Sequence, residues 1–344
     1  MARLFRVARR ALSETARERR QLGRTDVTLS PIGLGCWQFS QGRGISAGMW
    51  AVIGQATIER IVAASLAGGV DWFDTAQAYG NGRSEQTLAT ALHDLDVRPG
   101  AVVVATKWLP ILRRAANITR TIDVRLSCLQ GYPIDLYQVH QPWSLSSIGE
   151  QMRAMAALVH DGRVRAVGVS NFSAAQMERA SAALQAEGLP LASNQMQISL
   201  LDRRIERNGV LESARRLGVT LIAYSPLAQG LLSGRFHDDP AETRALPRVR
   251  RLSFSPAGRS YRAENLARTR PLIDELRRVA TAHDATPSQI ALAWLIAAYG
   301  DTVVAIPGAT RPEQAADNAG AMHIELADDE LTRLDEASKR VARR

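Results

Sequence analysis

From about residue 22 onward, short apolar runs alternate with longer stretches in which apolar positions recur every three to four residues. The short runs fall at 32–35, 70–74, 101–106, 134–140, 164–170, 192–195, 220–224 and 302–306. Most are apolar throughout rather than alternating, the pattern of parallel strands covered on both faces. Between them, helical periodicity runs over 57–67, 84–93, 118–130, 147–160, 173–186, 207–217, 287–298 and 312–318. Ser173 with Gln176 three places on reads as a capping box. Pro287 and Pro312 suit a first helical turn, where a missing N–H costs nothing. Gly188, Gly218 and Gly300 follow helical stretches, as C-terminal caps do. Ahead of the first strand, LGRTDVTLSPIGLGCW reads as a hairpin with Thr25 and Asp26 near its turn, leading into a buried strand.

Alternating β and α elements predict a parallel sheet. Eight repeats favour closure, so the fold class is α/β, a (β/α)8 barrel of the TIM type with an N-terminal β-hairpin, in one domain over 21–340. GLGCWQ lacks the third glycine of a dinucleotide fingerprint and opens no helix, which removes the open doubly wound alternative. The one long interruption, 233–270, follows the seventh strand and would emerge at the C-terminal face. Loops of that size are uncommon unless functional.

Charge changes this picture little. The formal net charge of +9 sits at the ends: residues 1–24 carry +6 and 339–344 carry +4, leaving −1 for the 314 residues between. A nucleic-acid binder shows a basic face on its folded body, so no nucleic-acid partner is expected. The ends read as solvated, flexible tails, with residues 1–20 a basic N-terminal extension. Glu14 and Glu18 argue against an organellar leader, and no apolar core of a secretory signal is present. No run of about 18 apolar residues predicts membrane insertion. Cys36 and Cys128 form no disulfide or metal-ligand pattern, so no metal is expected and a reducing, cytoplasmic setting is.

Candidate chemistry gathers where the predicted strands end. VDWFD ends in Asp74, VVVATK in Lys107, DLYQVH in His140, AVGVSN in Ser170 and Asn171, SNQ in Gln195 and LIAYS in Tyr224 and Ser225. The steps are 33, 33, 30, 25 and 29 residues, about one βα unit each. A barrel folds such positions onto one ring at its C-terminal rim, where barrel active sites form. Lys107 stands out because the chain has 41 Arg and only two Lys. A lysine at a buried strand end answers a need for a compact ammonium of adjustable pKa. Tyr79, five residues past Asp74, would feel that cation, which favours phenolate and should lower its pKa. Asp74 would hold the ammonium, and His140 would bond an incoming carbonyl oxygen or assist the proton.

With these residues in view, the chain resembles the aldo-keto reductase family over nearly all of residues 21–340. The matching segments are FDTAQAYGNGRSE, VVATKW, DLYQVHQP, VRAVGVSNFS, NQMQIS, AYSPLAQGLLSG and IPGATRPEQAADN. The resemblance implies a catalytic tetrad of Asp74, Tyr79, Lys107 and His140, and reduction of a carbonyl to an alcohol with hydride from nicotinamide C4. It implies that Ser170, Asn171 and Gln195 hold the carboxamide and that Tyr224 stacks on the ring. Ser225, Leu227, Gln229 and Gly230 would follow the pyrophosphate; Gly308, Thr310, Arg311, Gln314 and Asn318 would take the adenosine end. Arg311, at a helix start that attracts phosphate, favours NADPH, with NADH the alternative. Trp37, Trp108 and Trp143, each within three residues of a strand end, and Trp50, in the loop after the first strand, suggest an apolar or aromatic carbonyl or alcohol as the small-molecule substrate. HQPW and GMWAVI depart from the family's usual order in substrate-facing loops, so no relative's substrate transfers. A second reading is a cofactor-binding regulatory subunit of a membrane protein with weak or no turnover.

Overall fold

The computed structural model describes residues 19–44, 48, 50–247 and 259–341. Most of the N-terminal extension and the last three residues of the basic tail fall outside that range. Two two-residue strands, β1 (Arg20–Gln21) and β2 (Thr28–Leu29), pair antiparallel as the expected hairpin. The barrel strands are β3 (Leu34–Gly35), β4 (Trp72–Asp74), β5 (Val103–Trp108), β6 (Leu136–Val139), β7 (Ala166–Ser170), β8 (Leu191–Gln197), β9 (Thr220–Tyr224) and β10 (Val303–Ile306). Each pairs parallel with the next. Parallel bridges Ile32–Ala305 and Gly35–Gly308 bring the two edges together and close the barrel.

Helices α1 (Gln55–Ala67), α2 (Arg83–Asp94), α3 (Ala116–Cys128), α4 (Ile148–His160), α5 (Ala174–Gln185), α6 (Val210–Leu217), α7 (Ala263–Ala282), α8 (Pro287–Tyr299), α9 (Pro312–Gly320) and α10 (Asp328–Val341) cover the outside. The Ser173–Gln176 capping box is present, and Ser147 with Glu150 and Thr286 with Gln289 make two more. Gly218 ends α6 in the left-handed region at φ 67°, a conformation that glycine adopts without a Cβ penalty.

Two cores follow from strand alternation. Outward-facing strand residues meet the helices in one large apolar layer. Inward-facing Trp72, Ala105, Leu136, Ala166, Ile222 and Val304 fill the barrel, and Leu22, Val27 and Leu29 of the hairpin plug its N-terminal end. The plug is tied by polar bonds: Gly23 N donates to Thr220 Oγ1 at 2.7 Å. Arg20, almost wholly buried, donates to the Ile296 carbonyl at 2.9 Å and to that of Val303. Arg20 therefore belongs to the folded body rather than to a tail. At the other end, Lys339–Val341 complete α10, with Lys339 paired to Asp335 at 2.7 Å and Val341 buried.

The segment after β9 holds two short helices, Arg235–Asp238 and Pro240–Arg244. The 20-residue α7 begins at Ala263, well inside the stretch that lacked a readable pattern. Pro271, inside α7, masked it; a helix-interior proline forgoes one backbone bond. The buried stripe Thr269, Leu272, Ile273, Leu276 and Val279 keeps the helix seated.

Candidate active site

The polar groups expected at the strand ends meet above this apolar floor, at the C-terminal end of the barrel. Lys107 and Asp74, both essentially fully buried, form an ion pair. Lys107 Nζ also donates to the Thr75 carbonyl at 2.8 Å and lies 3.4 Å from Tyr79 Oη. The second oxygen of Asp74 accepts from Gln195 Nε2 at 2.9 Å and Gln138 Nε2 at 3.2 Å. Ser193 in turn donates to Gln138 Oε1 at 3.4 Å. Gln138 was not among the expected site residues; its signal is an amide at an inward position of an otherwise apolar strand, two residues before His140.

Burial lowers the pKa of Lys107, but Asp74 and Tyr79 more than offset it, and the net shift is upward. Lys107 is therefore a cation at neutral pH. Tyr79 corrects an expectation. Its burial raises the phenol pKa, and the Lys107 charge only partly opposes that rise, so the net shift is upward. Tyr79 is therefore a neutral phenol at neutral pH. His140 packs edge-on to Tyr79, with ring centroids 5.6 Å apart. Burial, then Lys107, hold its pKa down to about 3, so it is a neutral imidazole. Its Nδ1 is buried without a hydrogen-bond partner among the described residues.

A cavity of about 630 Å³ opens over this cluster. Asp74, Tyr79 and His140 sit in its wall, as do Ser170, Asn171, Gln195, Tyr224, Ser225, Leu227, Gln229, Gly230, Gly308, Thr310, Arg311, Gln314 and Asn318. Tyr224 Oη donates to Asn171 Oδ1 at 2.9 Å, and Asn171 Nδ2 to Ser170 Oγ at 3.0 Å, so the amides are already oriented. Asn171, Ser225, Ala228 and Gln229 all have positive φ, between 47° and 61°. Such strain gathers where surrounding structure holds a binding loop in shape. At Gly308 a Cβ would come within 2.3 Å of the amide end of the Gln38 side chain, so a larger residue there would make Gln38 swing aside.

Two helix N-termini reach the same cavity, α9 beyond Arg311 and α8 through Thr286, Pro287 and Ser288. Unpaired N–H groups and the helix dipole make such ends anion sites. Arg235 also lines the cavity, with Asp317 opposite in character. The sequence does not single out Ser288 or Asp317, which sit inside stretches that read as ordinary helix, nor Arg235, which lies in the 233–270 interruption without a motif of its own. A cavity whose wall brings together an aromatic ring, oriented amides and cationic groups fits a nicotinamide dinucleotide.

The four tryptophans divide. Trp37 and Trp50 line the cavity, edge to face at 5.7 Å. Trp37 also lies 6.1 Å from the Tyr79 ring. Trp108 does not face the site: Lys107 points inward, so its neighbour points outward, and Trp108 is wholly buried with Nε1 donating to Asn117 at 2.9 Å. Trp143 is 65% exposed on the rim and outside the cavity wall. Among the described residues no group of three or more His, Cys, Asp and Glu could hold a metal ion. None of the described helices is long and apolar enough to cross a membrane.

The model of the aldo/keto reductase family matches residues 31–339. An uncharacterized oxidoreductase of Mycobacterium tuberculosis is 39% identical over 315 residues, which is 90% of each chain. The aldo-keto reductase yakc of Schizosaccharomyces pombe, whose name carries NADP(+), is 28% identical over 90% of this chain and 88% of its own. Among solved structures, the glycerol dehydrogenase of Gluconobacter oxydans superposes with a TM-score of 0.77 at 28% identity, covering 94% of this chain and 95% of its own. A thermostable aldo-keto reductase, solved with the inhibitor epalrestat, superposes at 0.72 with 30% identity over 93% of this chain and 99% of its own.

Proposed function

The chain belongs to the aldo-keto reductase family of NAD(P)H-dependent oxidoreductases, and from that premise we propose that it reduces an aldehyde or ketone to an alcohol with NADPH, Tyr79 acting as general acid. The observation that carries this reading is the Tyr79 hydroxyl, 3.4 Å from a buried lysine ammonium and beside a neutral imidazole in the cavity wall.

NADPH, when bound, supplies the hydride. The chain's own residues do the rest. Asp74 offsets the cost of burying Lys107, and Lys107 stabilises the phenolate that Tyr79 becomes once its proton has gone to the carbonyl oxygen. His140, uncharged, donates a hydrogen bond to that oxygen without placing a second cation beside Lys107. Ser170, Asn171 and Gln195 would hold the nicotinamide carboxamide, with the ring against Tyr224. The loop from Ser225 through Gly230 would hold the pyrophosphate. Gly308, Thr310, Gln314 and Asn318 would hold the adenosine end, and Arg311 the 2′-phosphate. Trp37 and Trp50 support an apolar or aromatic substituent on the carbonyl.

The test is NADPH consumption with 4-nitrobenzaldehyde and methylglyoxal, in wild type and Tyr79→Phe. Removing the phenol should cost about 10²-fold or more in kcat while NADPH still quenches tryptophan fluorescence. Equal rates in the two proteins would sink the proposal. Tight NADPH binding with no turnover across a broad carbonyl panel would instead favour a cofactor-sensing role.

A further inference from the structure

Behind the strand that carries Lys107 lies a second buried ion pair that the proposed chemistry does not use. Thr106 points away from the barrel axis, back to back with Lys107. Its Oγ1 donates to Glu85 Oε1 at 2.6 Å. The other oxygen of Glu85 pairs with Arg125 of α3. Glu85 is fully buried and Arg125 is 4% exposed. Burial pushes the Glu85 carboxyl up to about 7 against the opposing pull of Arg125, Thr106 and Lys107. A carboxylate placed there is expensive unless its partners are well formed.

Glu85 sits in the first turn of α2, and that helix starts directly after the turn carrying Tyr79. Ser84 N donates to the Tyr79 carbonyl at 3.1 Å, and Gly82 N to that of Gln77 at 3.0 Å. Gly82 lies at φ 92°, and a Cβ there would stand 3.2 Å from Arg125 and 3.3 Å from Glu85, so the turn packs on the ion pair itself. Ser84 Oγ accepts from Thr75, whose carbonyl receives Lys107, at 2.8 Å, and donates to Cys36 at 2.6 Å. The turn that carries Tyr79 meets β5 through Gln77, whose N donates to the Lys107 carbonyl at 3.2 Å, and α2, which continues that turn, is fastened to β5 from behind by a buried side-chain bond, Thr106 to Glu85.

We propose that Glu85 is a positioning residue: held by Arg125, it clamps α2 to β5 through Thr106 and so sets Tyr79 against Lys107. This rests on the reading of Tyr79 as the proton donor. A purely structural pair would hold α2 on α3 without affecting the chemistry. The two are separated by Thr106→Val, which keeps shape and loses the hydroxyl, and Thr106→Ser, which keeps the hydroxyl. Steady-state kinetics with 4-nitrobenzaldehyde, NADPH affinity by fluorescence and the thermal midpoint are measured for both and for Glu85→Gln.

Thr106→Val is expected to lose about tenfold or more in kcat, since small misplacements of reacting groups are costly, with KM and NADPH affinity little changed. Thr106→Ser should stay within about twofold of wild type, and Glu85→Gln should fall at least as far as Thr106→Val. The Thr106→Val/Glu85→Gln double variant should be no worse than Glu85→Gln alone, as coupled sites are not additive. A Thr106→Val protein with wild-type kcat overturns the clamp, and so does an equal loss in the Val and Ser variants. If Glu85→Gln does not fold, the Thr106 pair decides. A folded wild type that binds NADPH but turns over no carbonyl overturns both readings; an active wild type with an indifferent Thr106 overturns this one alone.

Discussion

Lys107 carries its charge in a place where burial alone would strip it, because Asp74 and Tyr79 outweigh the loss of water. Arginine cannot take over this task, since its planar fork replaces a compact ammonium. Lys107→Arg should lose about hundredfold or more in kcat in the NADPH-coupled assay. His140 gives a pH prediction. Its folded pKa lies near 3 against an ordinary 6.5. Below 6.5 the unfolded chain takes up a proton that the folded chain refuses, so the contribution to stability present above that pH is lost as pH falls toward the folded value. His140→Gln should flatten the acid side of the profile of thermal midpoint against pH; an unchanged slope would contradict the assignment. Arg311→Ala should raise KM for NADPH about tenfold or more while leaving KM for NADH nearly unchanged, as loss of a 2′-phosphate contact requires. Lys107 and His140 were legible as residue types at strand ends, and Arg311 through the family resemblance and its place before a helix. Their protonation states were not, because the Tyr79 pKa depends on a contest between burial and Lys107 that only three-dimensional depth decides.

At the scale of elements, eight strands and eight helices announced themselves through apolar runs, caps and glycines. What the periodicity missed has physical causes. α7 carries Pro271 in its interior and is rich in arginine on its solvent side, so its apolar stripe is diluted. α10 has a low apolar content and only a few buried positions, Leu334 among them. Trp108 was assigned to the mouth from its place in the chain, yet strand alternation next to an inward lysine already required it to face the helices. The glycine at 33 was unremarkable in the sequence, but a Cβ there would lie 2.3 Å from the Trp72 ring. Trp72 cannot retreat, since it fills the barrel and its Nε1 donates to the Ser30 carbonyl at 2.9 Å. Gly33→Ala should therefore destabilise the protein by about 1–3 kcal/mol, read as a lower denaturation midpoint at unchanged m-value.

Across the whole molecule, closure ties the first barrel strand to the last. Gly33 N donates to the Ala305 carbonyl at 2.8 Å, and Gly35 N to that of Pro307 at 3.0 Å. The same closure makes one wall of the cavity from β3 and β10, so a dinucleotide lying there bridges the two ends of the fold. NADPH at a hundredfold its Kd should stabilise the native state by about 2.7 kcal/mol, visible as a rise in thermal midpoint that shrinks in Arg311→Ala. The hairpin plug occupies the opposite end, and Asp26 near its turn is exposed, joined among the described residues to the surface residue Arg165. That arrangement offers an attachment point. A thiol introduced as Asp26→Cys would let the protein be coupled to an electrode or bead by its closed end, with the mouth held toward the solution and every molecule presenting the same face.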